Sequence, residues 1–111
     1  VRSRLAELSM NIDVLKMLNY RAAWAHGNET SAPYRPSMNK VFAAELNQKV
    51  YDTCLQIMGM YGQLKADSKF AVANGSAERY SQSQIVYLFG GGANEVQKDL
   101  VARFGLGMPK S

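Results

Sequence analysis

The fold is decided by one stretch near the end of the chain, Phe89-Gly90-Gly91-Gly92-Ala93-Asn94-Glu95-Val96-Gln97. A glycine inside a helix costs about 1 kcal/mol relative to alanine, so the run Gly90 to Gly92 marks a break between two helical segments. After the break, Asn94 and Gln97 stand close to capping-box spacing, and apolar residues recur at helical intervals. We therefore expect Asn94 to begin a new helix as its N-cap.

The same stretch has two functional interpretations. A glycine loop that leads into a helix presents backbone N–H groups and the positive end of the helix dipole, which suits a phosphate or pyrophosphate group. Glycine-rich turns between helices that bind nothing are the alternative. The Rossmann fingerprint is excluded, because no strand-like run precedes the loop and the glycines do not follow G-x-G-x-x-G. Spacing alone leaves the anion site and the plain turn both open.

Two longer apolar patterns precede this stretch, and each predicts a long helix. The first pattern has two stripes on adjacent faces, one of Leu5, Leu8, Ile12, Leu15 and Ala22 and the other of Met10, Met17, Tyr20 and Trp24. The second pattern continues at three- and four-residue spacing from Met38 to Tyr61. A helix with two apolar faces needs two neighbours, so the first one belongs inside a bundle.

The ends of the helices are predicted from glycine and small polar residues. Gly27 is expected to end the first helix in the left-handed conformation, and Ser37 to cap the second. We expect Gly62 to end the second helix, Ser76 to cap a third, and Gly105 to end the last. The chain is thus predicted to be all-α, with three long helical segments of which the last is interrupted at the glycines.

Composition limits the class of protein. The chain has 111 residues, of which 47% are hydrophobic and 20% charged, as in one globular domain or a piece of one. The net charge of +4 comes from residues spread along the chain without a run of Lys or Arg, so we expect no nucleic-acid partner. No apolar run approaches the roughly 18 residues of a membrane span.

The few residues capable of redox or metal chemistry are isolated. Cys54 is the single cysteine, which excludes an internal disulfide and predicts a reducing, cytoplasmic setting. His26 is the only histidine, and no other ligand type stands at metal-binding spacing from it, so we expect no metal. The chain begins at Val1 without an initiator methionine, which predicts that it is cut from a longer protein.

Several ordered motifs together resemble the C-terminal helical domain of acyl-CoA dehydrogenases. They are Leu18-Asn19-Tyr20-Arg21-Ala22-Ala23-Trp24, the Gln-x-x-Gly-x-x-Gly pattern from Gln56 to Gly62, the glycine stretch quoted above, and Ala102-Arg103-Phe104-Gly105-Leu106-Gly107. The resemblance covers essentially the whole chain. It implies part of an up-and-down four-helix bundle in residues 1–111, with the first bundle helix missing from the sequence.

The resemblance also implies a cofactor and its contacts. In that family the domain carries part of the site for flavin adenine dinucleotide (FAD). Gln56, Gly59 and Met60 would face the flavin dinucleotide of a neighbouring subunit. At the head of the last helix, the cofactor would lie by Gly92, Ala93, Asn94 and Glu95. This sequence departs from the family at Met60, where glycine is usual, and at Ala93, where threonine is usual.

Gly91 occupies the place where many family members carry the glutamate that removes the α-proton of the acyl-CoA substrate. Glycine has no side chain to act as a base, so no residue of this chain is expected to be catalytic. Three explanations follow: a base on an upstream helix, a non-catalytic subunit of a hetero-oligomer, or a different flavin reaction on the same fold. We do not expect Glu95 to replace the base.

The expected partners follow from the same resemblance. They are homologous subunits, in a homo- or hetero-oligomer arranged as a dimer of dimers, and an acyl-CoA substrate in the complete assembly. The missing bundle helix would leave apolar faces open, which predicts self-association through contacts that include the first helix. The alternative function is a helical subunit-assembly module without a cofactor.

Overall fold

The computed structural model describes residues 1–28 and 32–110. Its four α-helices are α1 (Arg2–Gly27), α2 (Tyr34–Met58), α3 (Ser76–Phe89) and α4 (Asn94–Leu106). Short 3-10 turns cover Gly59–Gln63 and Val72–Gly75. Across the described residues there is no β-strand, so the all-α prediction is confirmed.

Helix α2 is the central element, and it packs against each of the other three helices. It runs antiparallel to α1, as shown by the hydrogen bond that Arg4 near the start of α1 donates to Gln56 near the end of α2. Farther along, Asn39 Nδ2 lies 3.2 Å from Asn19 Oδ1. The two helices therefore form an antiparallel pair.

Helices α3 and α4 both run antiparallel to α2 and together form the third long segment. Tyr51 of α2 stacks on Tyr80 of α3 with ring centroids 5.8 Å apart. At the other end, the ring of Tyr34 lies so close to Gly105 of α4 that an added Cβ atom would stand 3.2 Å from it. The prediction of a last segment interrupted at the glycines is confirmed.

The buried interior is small. Among the described residues, the buried apolar side chains are Ala25, Ala44, Leu46 and Ala77. Large apolar side chains remain exposed on the outer face of α1, where Met10, Met17, Tyr20 and Trp24 each keep between 63% and 69% of their surface. A helix of this kind buries its second face only against another element, so the structure retains the open face that the two-stripe pattern predicts.

Several predicted helix ends are wrong. Helix α2 begins at Tyr34, which places Ser37 inside its first turn and not at the cap. The helix can start this early because the first-turn N–H groups have no intrahelical acceptor, so a proline at position 36 costs no hydrogen bond. Helix α2 ends at Met58 with Gly59 as its cap. Gly62 lies in the 3-10 turn that follows, Gly59–Gln63, so it does not end the α-helix.

At the other helix ends too, the backbone conformation, and not the residue type alone, decides which residue is the cap. Helix α1 ends at Gly27, as predicted, but the φ of Gly27 is not positive, so the predicted left-handed conformation is wrong. Gly75, with φ 64°, precedes α3, so Ser76 is the first helical residue. Helix α4 continues to Leu106, and the left-handed residue after it is Gly107 with φ 68° instead of Gly105.

Candidate functional site

The loop from Gly90 to Ala93 joins α3 to α4 in a conformation that requires glycine. Gly91 has φ 72° and Gly92 has φ 102°, and L-residues rarely adopt such values. The amide of Gly90 donates to Val86 O at 2.7 Å, which closes the end of α3. The amide of Gly92 donates to Phe89 O at 3.1 Å, so the chain turns sharply before α4 begins.

Lys40 of α2 is the side chain that holds this loop. Its ammonium group donates to Leu88 O at 3.2 Å, to Gly92 O at 2.7 Å and to Asn94 Oδ1 at 2.7 Å. The three acceptors come from the end of α3, the loop and the start of α4. Lys40 thus ties three parts of the chain to the central helix.

Sequence reasoning missed Lys40, because the signal for it lies in the burial of its neighbours. It lies three residues after buried Ser37 and four before buried Ala44, which places it on the stripe of α2 that faces its neighbours. A lysine among small buried residues needs acceptors for its donors, because an unpaired buried charge is costly. Burial of the neighbouring residues therefore implies acceptors for Lys40, but apolar spacing in the sequence shows neither their presence nor their location.

Asn94 is not the N-cap of α4, contrary to the prediction. It is the first residue of α4, while Ala93 takes the N-cap position and makes no side-chain cap hydrogen bond. The Asn94 side chain is 5% exposed and turns inward to Lys40. Because no side chain caps α4, the N–H groups of its first turn have neither an intrahelical nor a side-chain acceptor.

Gln97 supports the loop from the other side. Its Nε2 atom donates to Gly91 O at 3.1 Å, so the residue reaches back to the loop but does not complete a capping box with Asn94. Glu95 is exposed in the first turn of α4, where a carboxylate complements the helix dipole. Ala93 is half-buried and offers only its backbone.

The open surface at Gly91 is another property of this site. A Cβ atom added to Gly91 would meet nothing within 4 Å, whereas one added to Gly92 would collide with the amide of Gln97. The outer side of the loop therefore has room for a ligand beside Gly91. Together, positive φ values, uncapped amides and this free space suit an anionic group at the start of α4.

The other predicted site residues lie at the end of α2. Gln56 accepts a hydrogen bond from Arg4, Gly59 adopts φ 57° and ψ −135°, and Met60 is 86% exposed. From Lys40 to Gln56 the helix rises about 24 Å, at 1.5 Å per residue. The structure therefore brings Gly92, Ala93, Asn94 and Glu95 together but places Gln56, Gly59 and Met60 at the far end of the same helix.

Three further features concern metal ligands, membrane spans and the cysteine. Within residues 1–28 and 32–110, no group of three or more His, Cys, Asp or Glu side chains is placed to hold a metal ion. No helix in these residues has the length and apolarity needed to cross a membrane. Cys54 is free and half-buried.

Comparison with known proteins gives a consistent result. The family model for the C-terminal domain of acyl-CoA dehydrogenases matches residues 1–106. The chain is 32% identical to acyl-CoA dehydrogenase FadE26 of Mycobacterium tuberculosis, with 100% of the chain and 28% of that protein covered. It is 30% identical to the mitochondrial long-chain specific acyl-CoA dehydrogenase of Rattus norvegicus, with 93% of the chain and 22% of that protein covered.

Two solved structures have the same fold as this chain and a similar level of sequence identity. A structure named Tcur3481-Tcur3483 steroid ACAD superimposes with a TM-score of 0.91 at 34% identity, covering 99% of this chain and 29% of that one. The ChsE4-ChsE5 complex from Mycobacterium tuberculosis gives a TM-score of 0.87 at 31% identity, covering 99% and 28%. The chain thus spans less than a third of the length of these relatives.

Proposed function

The chain belongs to the acyl-CoA dehydrogenase family, and from this premise we propose that it is the FAD-supporting and oligomerisation domain of an oxidoreductase that acts on acyl-CoA thioesters. In this proposal residues 1–111 are the C-terminal bundle domain, and the first bundle helix lies in sequence that precedes them. When bound, FAD would supply the acceptor for the hydride that leaves the β-carbon of the acyl group.

The observation that carries the proposal is the uncapped start of α4 beside a glycine loop. The N–H groups of the first turn have no side-chain acceptor, and the loop has free space beside Gly91. An anionic diphosphate at this place would receive hydrogen bonds from the backbone and a favourable field from the helix dipole. The backbone amides of Ala93, Asn94 and Glu95 therefore fit the phosphate-bearing part of FAD, and Gly92, whose own amide is bonded to Phe89 O, would lie beside it.

Asn94 and Ala93 would contact the cofactor through their backbone and not through their side chains. Asn94 contributes its backbone N–H, because its side chain is occupied by Lys40. Ala93 likewise contributes only backbone, in keeping with the absence of the threonine hydroxyl. The separation of Gln56, Gly59 and Met60 from the loop supports a role for them at the cofactor of a neighbouring subunit, since one small group cannot span both ends of α2.

We further propose that the natural partner is a homologous but different subunit. Gly91 supplies no base for proton abstraction. Two of the similar solved structures are named after two components, Tcur3481 with Tcur3483 and ChsE4 with ChsE5. A subunit without its own base at this position is consistent with such a pair, in which the other subunit performs the chemistry.

The competing function is a helical assembly module that binds no cofactor. The exposed apolar face of α1 favours it, because a surface of this kind serves assembly whether or not a ligand binds elsewhere. Under this alternative the glycine loop is a plain turn, and the acidic and polar residues around it have no ligand.

The experiment that separates the two is flavin content of the complete assembly. The full-length chain should be co-expressed with its homologous partner, purified, and assayed for the visible absorption band of flavin and for oxidation of straight-chain and steroid-derived acyl-CoA esters. We expect a yellow assembly that loses and regains its flavin reversibly. An assembly that purifies colourless and takes up no added FAD would overturn the enzyme proposal and leave the assembly module.

A further inference from the structure

The contacts of Lys40 have an unusual distribution. Its ammonium group bonds to two main-chain oxygens, one at Leu88 before the glycine break and one at Gly92 within it, and to one side-chain amide oxygen. All three acceptors are neutral. Among the described ion pairs, none involves Lys40. The positive charge of this residue is therefore held beside the loop without a carboxylate to neutralise it.

These contacts fix the direction of a peptide plane. No peptide bond in the described chain is cis, so the N–H of Ala93 points away from the Gly92 carbonyl, and thus away from Lys40. The next carbonyl back, that of Gly91, is held separately by Gln97. The amide that follows Gly91, that of Gly92, is used by Phe89 O, so the Ala93 amide is the one that the Lys40 contact turns away from α2.

A run of three glycines does not keep such an orientation by itself. Glycine populates positive and negative φ almost equally, so the peptide planes of a free glycine loop rotate among many arrangements. The side chains that contact the loop therefore select one arrangement: Gln97 bonds to Gly91 O, and Lys40 bonds to Gly92 O and to the helix residues on both sides of the loop, Leu88 and Asn94.

We propose that Lys40 is a positioning residue for the anion-binding loop: it holds the carbonyls of Leu88 and Gly92 inward so that the amides of Ala93 and the first turn of α4 face the ligand's phosphates. The inference rests on the proposed function, because FAD supplies those phosphates. Lys40 does not touch the ligand. Its uncompensated charge acts with the dipole of α4 to favour an anion on the opposite side of the loop.

The chain offers a matched control for this role. Lys98 of α4 also joins α4 to α2, through Glu45 Oε1 at 2.8 Å, but it does not contact the loop. The hydrogen bond and the charge of Glu45 raise the pKa of Lys98, so it is a cation under the same conditions. Lys98→Met and Lys40→Met therefore remove the same charge from the same helix interface, and only the second frees the glycine loop.

The test is an FAD titration of the flavin-free full-length assembly, with thermal unfolding and visible circular dichroism of the bound flavin measured on the same samples. Lys40→Met should weaken FAD binding by about tenfold or more, as expected for loss of a charge-assisted network, and should alter the visible spectrum. Lys98→Met should leave affinity within about twofold of wild type. Lys40→Arg, which keeps charge and donors, should recover part of the loss.

The outcomes separate the two proposals. If the wild-type assembly binds FAD and Lys40→Met binds it equally well with the same visible spectrum, the positioning role is wrong even if thermal stability falls. If the wild-type assembly binds no FAD, the proposed function is wrong, and the ligand assigned to the loop is wrong with it. Should Lys40→Met not fold, Lys40→Gln takes its place: it removes the charge, and its two N–H donors cannot serve all three acceptors, so unchanged FAD affinity and spectrum would likewise contradict the positioning role.

Discussion

The Nζ atom of Lys40 lies 2.7 Å from Oδ1 of Asn94, so a cation on the central helix holds the first residue of the last helix. The contact is part-buried, and Asn94 itself is 5% exposed. A hydrogen bond to a charged group in such surroundings contributes about 1.5 to 3 kcal/mol. Asn94 is therefore a structural link between α2 and α4, whatever its backbone does at a ligand.

We predict that Asn94→Ala lowers the free energy of unfolding by about 1 to 3 kcal/mol, because Lys40 loses an acceptor and a small cavity opens. Asn94→Asp is the matched variant. It keeps the acceptor and adds a negative charge near the helix N-terminus, so its stability should equal or exceed that of wild type. Thermal and urea unfolding of the full-length protein measure both. Equal stability of wild type and Asn94→Ala would contradict the link.

Gly91 and Gly92 give a second prediction, since both have positive φ but only one is sterically confined. Each alanine substitution should cost about 1 to 2 kcal/mol for the left-handed conformation. Gly92→Ala should cost about 1 kcal/mol more, because the Gln97 amide must move and loses its bond to Gly91 O.

A double-mutant cycle in unfolding experiments tests this explanation. In the wild-type background Gln97→Ala should be destabilising by about 0.5 to 1.5 kcal/mol, the usual value of such a bond. In the Gly92→Ala background it should cost almost nothing, because the bond is already broken. Additive effects of the two substitutions would show that Gln97 does not respond to a side chain at Gly92.

The sequence was sufficient to predict the helices but not their ends. Apolar spacing predicts α1 and α2 because burial of one face recurs with the helical period over more than six turns. A cap depends on a single residue's φ and ψ, which several neighbouring residues can satisfy. Ser37 was a reasonable cap by residue type, yet the helix starts earlier at Tyr34.

For the candidate site, the sequence located the loop but not its support. Three glycines in succession identify Gly90 to Gly92 as irregular, and the structure gives two of them positive φ. The contact between Lys40 and Asn94 joins residues 54 positions apart, and nothing local to either residue specifies it. Side-chain reach of this kind depends on how α2 packs against α3 and α4, which is a tertiary property.

Gly59 provides a third prediction at the end of α2. Its φ of 57° with ψ of −135° lies outside the regions open to L-residues, although an added Cβ would meet nothing within 4 Å. Gly59→Ala should therefore cost about 1 to 3 kcal/mol through backbone strain alone.

The control for Gly59 is Gly107, which ends α4 in the ordinary left-handed region with φ 68° and ψ 23° and equally open surroundings. Gly107→Ala should cost about 1 kcal/mol. Comparison of the two free energies of unfolding isolates the conformational term. A Gly59→Ala variant as stable as Gly107→Ala would mean that α2 ends differently in solution.

The outer face of α1 supplies a fourth prediction. Met17 and Trp24, on the same stripe of α1, are each 66% exposed. Covering this surface with another helix would therefore bury a large apolar area, which favours assembly. Met17→Glu should weaken assembly of the full-length protein at least about tenfold, because a buried carboxylate without a partner is costly. Gln48→Glu, which adds the same charge at an exposed polar position of α2, should have little effect. Sedimentation velocity measures both, and indistinguishable variants would remove this face from the interface.

The last prediction concerns the missing base. Gly91 has φ 72°, and an added Cβ meets nothing within 4 Å, so the site can accept a glutamate at a cost of about 1 to 2 kcal/mol of backbone strain. We nevertheless predict that Gly91→Glu does not create dehydrogenase activity in this 111-residue chain, because a base works only when other groups position the flavin and the acyl chain against it.

Turnover by the wild-type full-length protein, measured with and without a partner subunit, distinguishes the sources of the base. If it oxidises acyl-CoA without a partner, the base must be an upstream carboxylate, and replacing that residue should abolish turnover. If it is inactive until mixed with a second subunit, Gly91 marks the non-catalytic partner, and this is the result we expect. We expect such a chain also to tolerate methionine at position 60 and alanine at position 93, the two places where it departs from the family. Robust turnover by the full-length chain alone would contradict this expectation and direct the search to the segment that precedes α1.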